Sequence, residues 1–543
     1  MNPRRATGLT LVLVASLLLL GARLTWVQVV DAEELAAVGE QQRARTVDLP
    51  ASRGDIRDRA GALLATDVPG SAIYVDPLLL SDTDAALALL DDLGVDVDVD
   101  DLEGEGRFRY LARQQPPSVG DAVVDAGIRG LGVLDEPRRT YPAEGTADAV
   151  LGAVNIDGDG IAGIELALDS RLSGSPGRAE LEVAPGGRRI TATEVDTPQP
   201  GARVQLTIDQ RVQHATERVL ADGRERKGAQ AAAAIVLEVG TGDVLAVASD
   251  PDGDGAGGTR LRALTDQFEP GSTQKPATIA AALDHGVIAD DLSDTFEVPP
   301  GLTVANKTFT DVNPSGTRTM DVTEILARSS NVGTIRVAQR LDADELYDSL
   351  TAYGYGEPTG VRFPGEVAGT LPHPDSWWAT SKPTIAIGHG VATTLAGLAN
   401  TYATLANDGL RVPPRLVLDP PGPRAEPEQV IDPAHAEAIT DALTLAVEGG
   451  TGVAAQVGDV PIAGKTGTAR QVDPAGGYRS QYTNTFVGFA PANDPDVVVA
   501  VLLDAPTTHR YASQTAAPVF ADLLEEVLEV RELPATTHGP SGR

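Results

Sequence analysis

Ser272 stands three residues before Lys275 in the stretch Phe268-Glu269-Pro270-Gly271-Ser272-Thr273-Gln274-Lys275-Pro276. Residues three apart share a helix face, so the hydroxyl and the amine can meet, and a serine whose proton an amine can take is a nucleophile for acyl transfer. Pro270 and Gly271 break the preceding segment, and the apolar run Ile279 to Leu283 continues with helical character. Pro276 has no N–H to return to the Ser272 carbonyl, which is tolerated only in a first turn. The helix is therefore expected to start close to Ser272 and to aim its positive end there. By itself the spacing is weak: with five lysines in the chain, a serine three residues ahead of one arises by chance about one time in five. The scarcity says more. Of 43 basic residues only Lys227, Lys275, Lys307, Lys382 and Lys465 are lysine. A lysine kept against so strong an arginine bias suits a place where the amine must lose its proton, which a guanidinium will not do.

Two further constellations lie downstream. Ser329-Ser330-Asn331 sits between helical stretches and, read alone, is simple capping. Gly464-Lys465-Thr466-Gly467-Thr468 follows Val460-Pro461-Ile462. It is not a phosphate loop, because Gly458 is one residue too distant and Pro461 intrudes; an edge strand is the expected setting. No Gly-x-Ser-x-Gly elbow and no His-Glu-x-x-His pair occurs.

The elements that must hold these residues belong to a chain of 543 residues, too long for one domain. A formal charge of −34 speaks against a nucleic-acid partner, and the absence of cysteine excludes disulfides, thiol catalysis and cysteine-bound zinc. Arg4 and Arg5 precede an uncharged run from Ala6 to Ala22; after Arg23, Leu24 to Val30 resume. No small-x-small cleavage site follows, so the segment reads as an uncleaved anchor rather than a signal peptide. Its positive N-terminus is expected in the cytoplasm and everything after Val30 outside the membrane.

Between Asp31 and about Gln199 the local features are Arg53-Gly54-Asp55-Ile56-Arg57-Asp58-Arg59, Arg139-Thr140-Tyr141-Pro142 and Gly163-Ile164-Glu165, which on physical grounds alone read as turns and exposed ion pairs. The acidic run from Asp91 to Glu105 reads as a solvated loop. Asn155 to Gly160 and Asp250 to Gly255 resemble the first half of a calcium loop, but neither has glutamate at the twelfth position, and no metal is expected. After a hinge at Pro198 to Ala202, Ala232 to Glu238 and Val244 to Ala248 read as a β-hairpin. Helical stretches follow at Ile279 to Leu283, Thr323 to Arg328, Val332 to Leu341 and Leu395 to Ala406. Strands come next at Thr485 to Phe489 and Val497 to Leu503, then a closing helix with Phe520, Leu523, Leu524, Val527 and Leu528 on one face. This order implies an antiparallel sheet built from both ends of the module, with a helical lobe inserted.

In the order Ser272-x-x-Lys275, Ser329-x-Asn331, Lys465-Thr466-Gly467, these motifs resemble those of the penicillin-binding protein and serine β-lactamase superfamily. Glu269 to Thr273, Gly388-His389-Gly390, Gly450-Thr451-Gly452, Phe486 to Pro491 and Ala517-Pro518-Val519-Phe520 are similar to class B penicillin-binding proteins. Arg53-Gly54-x-Ile56-x-Asp58-Arg59 and Gly163-x-Glu165 resemble that family's pedestal. The resemblance covers nearly the whole chain. It implies an α/β (α+β) architecture: an anchor over 1–30, an elongated mixed pedestal or dimerisation domain over 31–200, a transpeptidase domain over 201–530 with a central antiparallel sheet flanked by helices, and a tail over 531–543.

The resemblance further implies that Ser272 attacks a D-alanyl-D-alanine stem peptide while neutral Lys275 takes its proton. Ser329 and Asn331 would relay the proton and hold Lys275 and the substrate amide; Lys465, Thr466 and Thr468 would grip the terminal carboxylate beside Gly467. By analogy, the N–H groups of Ser272 and Thr468 would form the oxyanion hole. Neither cofactor nor metal is implied. The roughly 170 residues between anchor and catalytic module leave no room for a glycosyltransferase, so a monofunctional enzyme follows, inhibited by β-lactams and most like the division-specific branch, with the elongation branch as runner-up. Implied partners are a membrane-embedded glycan polymerase of the shape, elongation, division and sporulation family and other division proteins. Tyr511-Ala512-Ser513-Gln514, where the family commonly has glycines, and His389 depart from the pattern and bear on substrate detail. A β-lactamase or antibiotic sensor, a carboxypeptidase and a catalytically silent division scaffold are the other readings.

Overall fold

The computed structural model describes residues 3–29, 44–104, 108–143, 145–183, 189–251, 260–419, 426–473 and 475–532. Residues 252–255 of the Asp250 to Gly255 loop and the tail from 533 onward lie outside the described residues. The chain forms two compact units: Met1–Gly54, Asp67–Arg138 and Ser173–Ala202 make one, and Asp55–Thr66, Arg139–Leu172 and Arg203–Arg543 the other.

The first unit begins with the helix Pro3–Val29, of which Thr7–Val29 is long and apolar enough to cross a bilayer. Ala44–Leu49, Gly177–Val183 and Arg189–Asp196 form a three-stranded antiparallel sheet. A separate small core gathers Ile73, Val75, Ala86, Leu90, Val95, Leu102 and Val123. The acidic run is not a loop throughout. Thr83–Asp92 is a helix capped by Asp82, and Asp98 starts a further turn, Val99–Leu102. Val95 and Leu102, set among the acids, bury themselves in that core, and apolar burial outweighs the charge pattern.

The second unit is built on a five-stranded antiparallel sheet in the order Val244–Asp250, Ala231–Glu238, Val497–Asp504, Tyr478–Ala490, Ala463–Val472. Strands from both ends of the module do meet, as expected from sequence. Alternation divides each central strand between two cores. Ala233, Ile235 and Leu237 face one with Val498 and Ala500, while Ala232, Ala234 and Val236 face the other with Val499 and Val501. Both faces are covered, so the strands read as unbroken apolar runs. The second core is closed by the helices Gln210–Lys227 and Ala516–Val530, the latter presenting Phe520, Leu523, Leu524, Val527 and Leu528. The first core takes the helical lobe, including Lys275–Asp284, Val322–Ala327, Asn331–Ala338, Leu395–Ala406 and Pro433–Glu448.

One expectation in this unit needs correction. Arg139 and Glu165 are not an exposed pair: their side chains are 3% and 0% exposed and bond at 2.7 Å. The family-like spacing thus marks a buried ion pair, and Asp58 is buried separately, closing its own turn by accepting from the N–H groups of Ala60 and Ala62. Asn155 closes its loop on itself, its side-chain oxygen accepting from Asp157 and Asp159 N–H.

Candidate active site

Ser272 lies in a single 3-10 turn, Gly271–Gln274, that runs directly into the helix Lys275–Asp284. The helix start is where Pro276 required it to be. Every residue of the helix from Lys275 to Leu283 is buried, so this element is apolar all round because it is a core helix rather than a surface one. The turn ahead of it is held by backbone contacts. Gly271 N–H donates to the Gly388 carbonyl at 2.8 Å, and Tyr402 hydroxyl donates to the Thr273 carbonyl at 2.9 Å. Gly388 has φ +81, and a Cβ there would meet the Gly271 carbonyl oxygen at 2.0 Å, so only glycine allows this approach. Gly467 makes the same allowance from the strand: a Cβ would sit 2.3 Å from Thr485 Oγ1 and 2.9 Å from the Pro270 carbonyl.

Lys275 is fully buried, and its Nζ lies 2.6 Å from the Ser329 carbonyl, 2.8 Å from Asn331 Oδ1 and 3.2 Å from Ser329 Oγ. Two of these partners can only accept, while the hydroxyl can also donate. A neutral amine fits this arrangement, giving protons to the two carbonyl oxygens and receiving one from Ser329. Burial, with the charge of Lys465 second, drives the Lys275 amine well below the usual lysine value, against an opposing pull from Asp311. Lys465 is also fully buried, and burial lowers it to about 7. Its Nζ donates to Thr451 Oγ1 at 3.4 Å, which also meets Thr466 Oγ1 at 3.1 Å.

The Ser329-Ser330-Asn331 segment performs both roles that its sequence allowed, on different residues. Ser330 caps the helix Asn331–Ala338 by accepting from Gly333 N–H at 2.9 Å, and donates to Asp311 at 2.8 Å. Ser329 and Asn331 turn to Lys275. Ser329 adopts φ +58, a left-handed conformation that costs a non-glycine residue about 1–2 kcal/mol and here aims both its carbonyl and its hydroxyl at the amine.

Ser272, Ser329, Asn331, Thr466 and Thr468 line one cleft of about 970 Å³, with Thr451, Arg470, Tyr478, Tyr482 and Arg510 along it. Lys465, Thr466, Gly467 and Thr468 lie on Ala463–Val472, the expected edge strand. All eight predicted residues are thus gathered at the cleft or directly behind it. Sequence reasoning missed Asp311, which accepts from Ser330 Oγ and Val332 N–H and faces Lys275 electrostatically. It sits in an unremarked turn, Thr310 to Pro314, with no local signal. Glu269 was noticed only as part of a run, yet it accepts from Gly390 N–H at 2.8 Å, bonds His389 Nδ1 at 2.7 Å and receives Tyr478 hydroxyl at 3.1 Å. Burial, then the neighbouring Glu269 carboxylate, raises Tyr478 to about 12, leaving it a hydrogen-bond donor.

A serine in the turn that opens a buried helix, a desolvated lysine with carbonyl partners and a second lysine on the facing edge strand define a serine acyltransferase site. The chain belongs to the penicillin-binding protein family, class B: "Penicillin binding protein transpeptidase domain" matches residues 232–525 and "Penicillin-binding Protein dimerisation domain" residues 124–206. It is 34% identical to the probable peptidoglycan D,D-transpeptidase PbpC of Pseudomonas aeruginosa, over 98% of this chain and 96% of the relative. It is 32% identical to peptidoglycan D,D-transpeptidase FtsI of Escherichia coli K12, over 96% and 91%. Among solved structures it is similar to penicillin binding protein 3 from Mycobacterium tuberculosis complexed with aztreonam. That match has a TM-score of 0.69 and 29% identity, and covers 90% of this chain and 98% of that one.

Proposed function

We propose that this chain is a peptidoglycan D,D-transpeptidase in which Ser272 carries the acyl group and Lys275 is its base. The observation that carries the reading is the fully buried Lys275 amine, held by Ser329 and Asn331 with no carboxylate bonded to it among the described residues. Such an amine can be neutral at physiological pH, which a surface lysine cannot. Ser272 Oγ attacks the carbonyl of the penultimate D-alanine and its proton passes to Lys275. The C–N bond breaks, D-alanine leaves with a proton relayed through Ser329, and an ester to Ser272 remains. The amine of a neighbouring stem attacks that ester, forming the cross-link and returning a proton to Ser272 through Lys275. Lys465, Thr466 and Thr468 hold the terminal carboxylate; when it binds, the anion recharges Lys465. The strained ring carbonyl of a β-lactam enters the same attack, consistent with the aztreonam complex of the related structure.

The likeness to a relative named FtsI favours septal wall synthesis over elongation. In this reading Pro3–Val29 spans the membrane with its N-terminus in the cytoplasm, and a membrane-embedded glycan polymerase with other division proteins supplies and places the strands. The test is labelling of the full-length chain in detergent with a fluorescent penicillin, followed by intact mass. A covalent adduct on wild type, absent in Ser272→Ala, is expected. A folded wild type that forms no adduct overturns the reading, and release of free tetrapeptide without cross-links from paired stems would assign a carboxypeptidase.

A further inference from the structure

Four cations lining the cleft, Lys307, Arg318, Arg470 and Arg510, have no ion-pair partner among the described residues. The chain as a whole carries 77 acidic residues against 43 basic ones. Elsewhere in this unit Arg139, Arg211, Arg224, Arg415 and Arg531 each pair with an acid. Among the described residues Asp311 is the one acid lining the cleft, and Ser330 and Val332 already engage both of its oxygens. The cleft is therefore a cationic island on an acidic protein.

Two of the four are arranged as a pair. Arg470 lies directly across from Tyr482 in the strand register, and the Arg510 guanidinium stands 4.9 Å from the centre of the Tyr482 ring and 5.2 Å from that of Tyr511. Asn484 holds the Arg510 carbonyl at 3.1 Å. Cation–π contact with two rings restrains the Arg510 guanidinium, and no carboxylate bonds its N–H groups among the described residues, so they are free to take one. Arg510 immediately precedes Tyr511-Ala512-Ser513-Gln514, where this sequence departs from the family's glycines. Thr466, Thr468 and Arg470 share one face of the edge strand, so Arg470 lies about 7 Å beyond Thr468. A donor peptide lying along that edge with its terminal carboxylate at Thr466 and Thr468 brings its second or third residue to the arginines.

We propose that Arg470 and Arg510 form a second anion site that selects donor strands carrying a free carboxylate upstream of the terminal one, and disfavours strands in which that group is amidated. The proposal rests on the transpeptidase reading and adds its substrate class. The carboxylate can come from the α-carboxyl of the second stem residue or the side-chain carboxyl of the third, and the two are separable chemically.

The test uses the full-length chain in detergent and three synthetic pentapeptides ending in D-Ala-D-Ala: unamidated, amidated at the second residue, and amidated at the third. Each competes with fluorescent penicillin for Ser272, giving relative acylation efficiencies. The unamidated peptide is expected to exceed one amidated peptide by about fivefold to tenfold, and the arm that loses the advantage identifies the carboxylate. In Arg510→Gln, and more so in Arg470→Gln with Arg510→Gln, the ratio should fall toward one; in wild type it should shrink between low and high salt. A wild-type ratio of one or less, or a ratio unchanged in the double variant, overturns the proposal. Failure of penicillin itself to label Ser272 would instead overturn the transpeptidase reading.

Discussion

The second unit buries positive charge in two ways. Arg139 is nearly inaccessible and bonds Glu165, itself fully buried, at 2.7 Å. Lys275 and Lys465 are equally buried but meet only carbonyl and hydroxyl oxygens. The first arrangement keeps its charge because an anion compensates for the lost water; the second has no such anion in contact, so burial pushes the proton off instead. Residue type follows the same division: arginine, which cannot deprotonate, stands where charge is permanent, and lysine where it must come and go. A buried cation with an acid is architecture, and a buried cation without one is chemistry.

The sharpest way to break this contrast is Lys275→Arg. A guanidinium in the same place remains charged and cannot accept the Ser272 proton, so the second-order rate of penicillin acylation should drop about 10³- to 10⁴-fold. Thermal melting should show the protein still folded. A drop of less than tenfold would mean that Lys275 is not the base. The converse change, Glu165→Gln, removes the acid and leaves Arg139 charged and buried. It should cost about 3 kcal/mol of stability in urea unfolding while the folded fraction acylates at the wild-type rate.

Those two variants also mark what the sequence could and could not disclose. Ser272-x-x-Lys275 carried its own chemistry, because a helix puts residues three apart together and Pro276 sets where that helix starts. The antiparallel sheet was legible for a similar reason: Ala231–Glu238 and Val497–Asp504 are apolar up to the acid that ends each, and strands are short enough for composition to reveal them. The burial of Glu165 was not legible, since a single acid in a glycine-rich turn looks the same whether its partner is solvent or Arg139. Nor was Asp311, whose role depends on a turn brought beside Ser330 by tertiary packing. Local periodicity reports the faces of elements; which polar residues those faces trap is decided by elements far apart in sequence.

Lys465→Met tests the cost of the chemical arrangement. The folded pKa of about 7 lies below the value of about 10.4 for an unfolded lysine, so the unfolded chain binds more protons between these limits. Stability from this residue therefore rises with pH through that window. Replacing it with methionine should stabilise the fold by about 2 kcal/mol at pH 7, an advantage that shrinks as pH approaches about 10. Acylation should fall about 100-fold because the carboxylate loses its cation. A destabilised variant would place Lys465 with Arg139, as a charge the fold depends on.

Asp311→Asn gives the smallest effect and the finest test of how the two kinds of burial grade into one another. Asp311 is the nearest thing Lys275 has to an acid partner: it does not touch the amine, yet its charge pulls the lysine upward against burial and Lys465. Removing that charge while keeping an oxygen for Val332 N–H should lower the Lys275 pKa further, since the protonated amine loses its one favourable field. The base is then neutral over a wider range, so the acidic limb of the acylation profile should move to lower pH. Above about 7 the wild-type and variant profiles should fall together, because that limb reflects the discharge of Lys465. A limb that moved to higher pH would show that Asp311 acts by holding the Ser330 turn in place and not through its charge.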